Sequence, residues 1–355
     1  MSNRKKSNGQ VSRRNLLSNI AVIAVLSIVS LNFGFRSAPA ATLATDAKPN
    51  SKFGGVQIGA ISYSWRSMPG GVDNIIKYCI ETGINSLELM SNDVESYLGA
   101  PANPMMSFMR PPAPAPTATP GVAPAPMQRP KLTVEQQETV AKYNVEMKKW
   151  RLAQPMSKFE DIKKMFDKAG INIHIVKFSP SQWSDEEIEY AFKAAKAMGA
   201  KGVSEEISEA ACKKLGPIAE KHGMYAVFHQ HMQFATPGFN YDTFLAYSPA
   251  IRFNFDSGHF FGSTGINPIT IIEKYHDRIF SIHIKDKTGP KTEPTPNTNQ
   301  VWGQGEMPLA EVLQYIKNKK YPIYCDIELE YDVKPWSNAV KEVKTCVEYA
   351  KQILK

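Results

Sequence analysis

From Val56 to the carboxyl end, short β-rich runs alternate with stretches of helical periodicity, eight of each. That alternation restricts the chain to parallel strands joined by crossover helices. The strands are expected at Val56–Trp65, Ser86–Met90, Ile171–Phe178, Gly202–Ile207, Met224–His231, Ile251–His259, Ile279–Lys287 and Pro322–Glu330. The helices that follow them are expected around Val72–Glu81, Ser157–Lys168, Asp185–Met198, Glu209–His222, Tyr241–Tyr247, Pro268–His276, Leu309–Lys319 and Ser337–Ile353. Gly83, Gly170, Gly199 and Gly223 fall at helix ends, where a left-handed residue is commonly required. Eight strand–helix pairs predict an α/β fold, a (β/α)8 TIM barrel. A barrel needs roughly 250 residues, so a chain of 355 leaves room for extra segments.

Two segments stand outside the repeat. Residues 1–40 carry Arg4, Lys5, Lys6, Arg13, Arg14 and Arg36 with no acid, then an apolar run from Ile20 to Phe35 and Ala38-Pro39-Ala40. This stretch resembles a twin-arginine signal peptide, which implies export to the periplasm and contact with the membrane only through the signal; an uncleaved anchor is the alternative. Residues 41–53 read as a linker and 54–355 as the barrel domain. Within it, Pro101 to Pro130 holds ten of the chain's 25 prolines and reads as a surface insertion, since proline suits neither a helix interior nor a central strand. A mobile lid is the alternative. Residues Val134 to Leu152, with Trp150, predict a helix leading back to the barrel. Removing the six leader charges from the formal +8 leaves about +2, too little for the basic surface that phosphate contacts require, so no nucleic-acid partner is expected. An apolar fraction of 43% and a charged fraction of 21% exclude disordered and membrane classes for the rest. Cys79, Cys212, Cys325 and Cys346 show no metal or disulfide spacing, and Cys325 lies in an apolar strand pattern as a small buried hydrophobe.

In a barrel of this kind, polar residues at the carboxyl ends of the strands converge on one mouth. Those ends are dense in metal-binding types: Glu88, His174 with Lys177, Glu205-Glu206, His229-Gln230-His231, Asp256-Ser257-Gly258-His259, His283-Ile284-Lys285-Asp286 and Glu328-Leu329-Glu330. A single imidazole or carboxylate in an apolar strand is usually a hydrogen-bonded structural group. Four consecutive strands ending this way point instead to a shared ion, because buried charge must be paired, protonated or ligated. One or two imidazoles with two or three carboxylates suit Mn²⁺, with Mg²⁺, Co²⁺ or Zn²⁺ as alternatives. Lys285 offers a cation for a developing oxyanion or a substrate hydroxyl, against a plain salt bridge with Asp286. Glu88, His174, His231 and His259 are candidate substrate-binding residues. Trp65 and Trp302 offer apolar faces to a sugar ring, against ordinary packing.

The Asp256-x-x-His259 motif, the His283-x-Lys285-Asp286 motif, Glu328 and the Gly303-Gln304-Gly305-Glu306 turn resemble the xylose-isomerase-like barrel superfamily over residues 54–354. That superfamily includes sugar isomerases and epimerases, inosose dehydratases and endonuclease IV. The resemblance implies a metal held by a Glu on strand 5, the Asp of D-x-x-H, the His of strand 7 and the Glu of strand 8. Three of these carry over, to Asp256, His283 and Glu328. The strand-5 Glu is replaced by His229, in a pattern similar to a His-Asn-His branch, so either His229 or the neighbouring Glu206 completes the set. The implied activity is proton abstraction next to a carbonyl of a small-molecule sugar or glycoside, through an enediolate, with Glu206, His229, Glu328 and Lys285 as catalytic candidates. Isomerisation or epimerisation is the leading expectation. β-Elimination by a 3-keto-glycoside lyase or hydrolase is the alternative, and a non-catalytic sugar-binding protein a third class. An endonuclease would need a three-metal cluster and a basic groove, which these residues do not supply.

Overall fold

The structure, a computed structural model, describes residues 48–108 and 132–355. The leader and most of the proline-rich insertion lie outside the described residues. Eight parallel strands form the barrel: β1 (Val56–Ile61), β2 (Ser86–Met90), β3 (Asn172–Lys177), β4 (Gly202–Glu206), β5 (Tyr225–His229), β6 (Ile251–Asp256), β7 (Ile279–Ile284) and β8 (Tyr324–Ile327). Each pairs with its neighbour in chain order. β8 pairs with β1, with Asp326 opposite Gly59, and β1 pairs with β2, which closes the ring. Gly59 is required there, because a Cβ at this position would collide with the Asp326 carboxylate lying across it.

All eight expected crossover helices form, and the four glycines named above sit at positive φ. Their apolar faces, among them Ile75, Phe159, Phe166, Phe192, Leu215, Val312 and Val347, pack on the outer faces of the strands and form one continuous core. Burying each large side chain contributes roughly 1.5–3 kcal/mol. All four cysteines are buried and unpaired, as small hydrophobes. No described helix is long and apolar enough to cross a membrane.

Strand ends depart from the expectation in a consistent way. β1 stops at Ile61 and turns into a short 3-10 helix, Ser62–Trp65, and β6 stops at Asp256, which caps a helix over Ser257–Thr264. In both cases the chain leaves the sheet as soon as it reaches the mouth.

The helix expected at Val134 to Leu152 spans Val134–Ala153 and opens on a capping box formed by Thr133 and Gln136. It buries little, Met147 alone being fully enclosed, so polar contacts hold its far end. Arg151 lies 2.8 Å from Glu95 and 3.1 Å from Glu187, and its guanidinium stacks 3.4 Å over Trp183. All three charged side chains are no more than 10% exposed. Removing the cation would strand two buried carboxylates, so Arg151→Ala is expected to lower stability by about 3–5 kcal/mol in urea denaturation. A loss below about 1 kcal/mol would mean the clasp is a solvated surface pair.

Candidate metal centre and active site

The DSGH segment shows how the fold builds the mouth. Asp256 ends β6 and its Oδ1 accepts the His259 backbone N–H at 2.7 Å, so the carboxylate is fixed as a helix cap. Its Oδ2 is thereby aimed into the barrel, 3.3 Å from His229 Nε2 and 2.8 Å from Lys285 Nζ. Gly258 is needed beside it, because a Cβ there would strike the Lys285 stem.

His229, Asp256, His283 and Glu328 each present one donor atom, all within 4.8 Å of one another, and all four side chains are buried. Two imidazoles and two carboxylates without a thiolate are a donor set for a borderline-hard divalent ion. The surrounding contacts fit that use. His283 Nδ1 is 2.9 Å from Glu328 and its Nε2 is 2.7 Å from Glu88, which Asn254 also holds at 2.7 Å. Glu88 Oε1 and His259 Nε2 are buried beside this cluster without hydrogen-bond partners. A ligating imidazole oriented by a carboxylate on its other nitrogen is the usual support around such ions.

The cluster is strongly charged. Burial opposes ionisation throughout, yet the His283 imidazole beside Glu88 holds that carboxyl down to about 2. Burial also opposes the charge on Glu328, which His283 and Lys285 nevertheless keep well below the usual range. Burial would lower His283, but Glu328 and Glu88 raise it well above an ordinary imidazole. Lys285 keeps its proton for the same reason, being in contact with Asp256, Glu328 and Glu330.

Glu206 stands one step outward. Its Oε2 lies 3.2 Å from His229 Nδ1 and 3.1 Å from His231 Nδ1, and Lys177 Nζ is 2.6 Å from Oε1. Of the two candidates for the strand-5 position, His229 therefore belongs to the inner set, while Glu206 sits behind its other ring nitrogen and forms a second cluster with His229 and His231. Hydrogen bonding to Glu206 raises the His231 pKa, and His231 is half exposed at the mouth. His259 lies 3.4 Å from Glu330 and 3.8 Å from Asp256, and burial lowers its pKa.

Several sequence-based placements need correction. Trp65 is buried against Tyr78, with ring centroids 5.8 Å apart, because the early end of β1 turns it into the core. His174 is fully buried with both ring nitrogens engaged, by Ser86 and by Asp326 at 2.9 Å each, and it stacks on Tyr324; it is part of the barrel filling. Glu88 lies beneath the mouth as the partner of His283. Lys285 does not pair with Asp286, whose Oδ2 instead accepts the backbone N–H groups of Gly303 and Gly305 at 2.7 and 3.0 Å. The glycine-rich turn thus wraps Asp286 and positions the loop after β7. Trp302 packs edge-on against Tyr349.

The mouth itself is a cavity of about 200 Å³ whose lining includes Tyr63, Met90, Lys177, Glu206, His231 and Glu330. Tyr63 and Met90 gave no sequence signal. Lys177 and Glu330 did, as polar residues at strand ends, though neither was assigned a role.

A closed parallel barrel carries, at its carboxyl mouth, a buried set of two imidazoles and two carboxylates of the kind that suits a divalent ion. The chain belongs to the xylose isomerase-like TIM barrel family, whose family model matches residues 143–352. It is 38% identical over 149 residues to an inosose dehydratase from Clostridium beijerinckii, a match covering 37% of this chain and 50% of that one. The chain spans about half the length of the curated relatives it matches. Among solved structures it resembles a sugar phosphate isomerase/epimerase from Parabacteroides distasonis, with TM-score 0.50, 18% identity, and 88% of this chain and 99% of that one covered. It also resembles the IOLI protein with a bound zinc atom, with TM-score 0.52, 14% identity, and 84% and 98% covered.

Proposed function

We propose that this protein is a metal-dependent lyase that removes the proton next to the carbonyl of a cyclic sugar ketone and expels the substituent on the adjoining carbon. The observation that carries the reading is the one-sided base: the His231–Glu206 dyad lines the mouth beside the inner cluster. His229, Asp256, His283 and Glu328 would hold a divalent ion, Mn²⁺ or Zn²⁺ by donor type. When bound, that ion supplies Lewis-acid polarisation of the substrate carbonyl, which acidifies the neighbouring C–H.

The protein's own groups then account for the proton. His231, made more basic by Glu206, takes it from the α-carbon; the C–H electrons form the new C=C bond as the adjoining C–O bond breaks. The leaving oxygen keeps that bond's electrons and receives the proton back from the His231 imidazolium, so a neutral alcohol or water departs. Lys177 holds the other oxygen of Glu206 and fixes the dyad. Lys285 holds Glu328 and Glu330 as carboxylates.

The expected isomerase or epimerase shares the first of these steps. Epimerisation, however, needs a second base on the opposite face. The other carboxylate lining the mouth, Glu330, is tied to the Lys285 ammonium at 2.7 Å and is not a free second base. The similarity to inosose dehydratases supports elimination as well.

The test is NMR in deuterated water with Mn²⁺- or Zn²⁺-loaded protein followed by chelation, using inososes, 3-keto-glycosides and free ketoses. Loss of water or aglycone with formation of an enone is expected. Deuterium exchange with rearranged sugar and no elimination would return the protein to the isomerases.

A further inference from the structure

Two lysine stems pack against the helix Ser257–Thr264, and two glycines one turn apart admit them. Gly258 makes room for Lys285 and Gly262 for Lys287, since a Cβ on Gly262 would lie 2.7 Å from the Lys287 Cε. Lys285 meets three carboxylates. Lys287 is 3% exposed and has no carboxylate partner among the described residues; its Nζ contacts His259 Nδ1 at 3.5 Å. The backbone that carries it is pinned. Lys287 follows Asp286 on a short strand paired with Asn299–Gln300, and its carbonyl accepts the N–H groups of Glu306 and Met307 at 2.9 and 3.1 Å. Burial and the neighbouring Lys285 charge both lower its pKa. A buried ammonium without a counter-ion is costly, so its placement against one imidazole calls for a role.

We propose that Lys287 is a positioning residue: its Nζ holds His259 as the neutral imidazole with the proton on Nε2, a donor for a substrate oxygen at the mouth. An ammonium only donates, so the ring atom that faces it, Nδ1, must carry the lone pair. The other side of the ring leads independently to the same tautomer. Nε2 faces acceptors, Glu330 Oε2 at 3.4 Å and Asp256 Oδ2 at 3.8 Å, yet it is buried without a hydrogen-bond partner. It is therefore an N–H still lacking an acceptor. The ring lies beside the proposed base, with the His231 and His259 centroids 5.0 Å apart, and both His231 and Glu330 line the mouth cavity. A substrate oxygen entering between those two residues would satisfy the His259 donor and lie next to the base. The same tautomer keeps His259 out of the inner ligand set, because a protonated nitrogen has no lone pair for an ion. The proposal rests on the mouth being the active site, as read above, and holds for elimination and rearrangement alike.

The test is ring-nitrogen NMR of Zn²⁺-loaded protein labelled at histidine, with the His259 signals identified by their loss in His259→Gln. Wild type is expected to show a neutral His259 with its hydrogen on Nε2 alone, and that N–H should shift when an inosose is added. In Lys287→Met, which keeps most of the stem's bulk beside Gly262, the Nδ1-protonated form should appear. There kcat/KM should fall about tenfold with zinc content unchanged. In wild type, a His259 protonated on Nδ1, protonated on both nitrogens or bound to zinc through Nε2 would overturn the proposal without recourse to a variant. So would a tautomer unchanged in Lys287→Met, an Nε2–H that ignores the inosose, or a loss of zinc that accounts for the lost activity. The expected tautomer and shift in a protein that neither eliminates nor rearranges the inosose would uphold the role of Lys287 and overturn the reaction proposed above.

Discussion

Asp256→Ala protein is expected to lose its divalent ion, with metal affinity reduced by more than about 100-fold and activity reduced with it. The argument is geometric. Oδ2 of Asp256 is one of four donor atoms within 4.8 Å of each other, and its removal leaves two imidazoles and one carboxylate facing the Lys285 ammonium. The substitution also removes the cap of the helix Ser257–Thr264, at a cost of about 1 kcal/mol. Asp256→Asn separates the two effects, since an amide oxygen still caps the helix but the charge is gone. The expected result is a stable Asn variant with poor metal retention by elemental analysis and calorimetric titration. Full metal content in both variants would place the ion elsewhere.

Glu206→Gln is expected to do the opposite: keep the metal and lose the chemistry. Glu206 lies outside the inner set, so an amide oxygen can still accept from His229 Nδ1 and the ion should stay. The imidazolium formed at His231 would lose its counter-charge, and kcat should fall about 10²–10⁴-fold with KM little changed. His231→Ala should cost as much, and the double variant little more than the worse single one, as for groups acting as one unit. Equal losses in metal content and activity would make Glu206 a ligand rather than a positioning residue.

How far the sequence discloses this site depends on what each residue must reach. The eight strands and their crossover helices follow from alternation, and Asp256, His283 and Glu328, named from short motifs and the family resemblance, do converge on one inner cluster, because Asp256 and His283 sit on regular strands and Glu328 directly follows the last one. His229 could be named but not chosen over Glu206, since that choice depends on which way one ring nitrogen points across two strands. Placement failed where the chain departs from the regular pleat. The 3-10 turn after Ile61 buries Trp65 and leaves Tyr63 at the mouth. A register shift between Leu87 and Glu88 in the β2–β3 pairing coincides with His174 being taken up by Ser86 and Asp326. The Glu88–His283 pair joins residues 195 positions apart, and the partners of Lys285 come from β6 and the end of β8 rather than from its neighbour Asp286. Such cross-barrel pairings carry no local signal.

The measurement that tests the central claim most directly is X-ray absorption at the metal edge of Zn²⁺-loaded wild-type protein. The structure leads to a coordination sphere of two imidazole nitrogens with carboxylate oxygens at about 2.0–2.2 Å and no sulfur, lost in Asp256→Ala. A single imidazole, a sulfur ligand, or a coordination sphere that survives that substitution would contradict it.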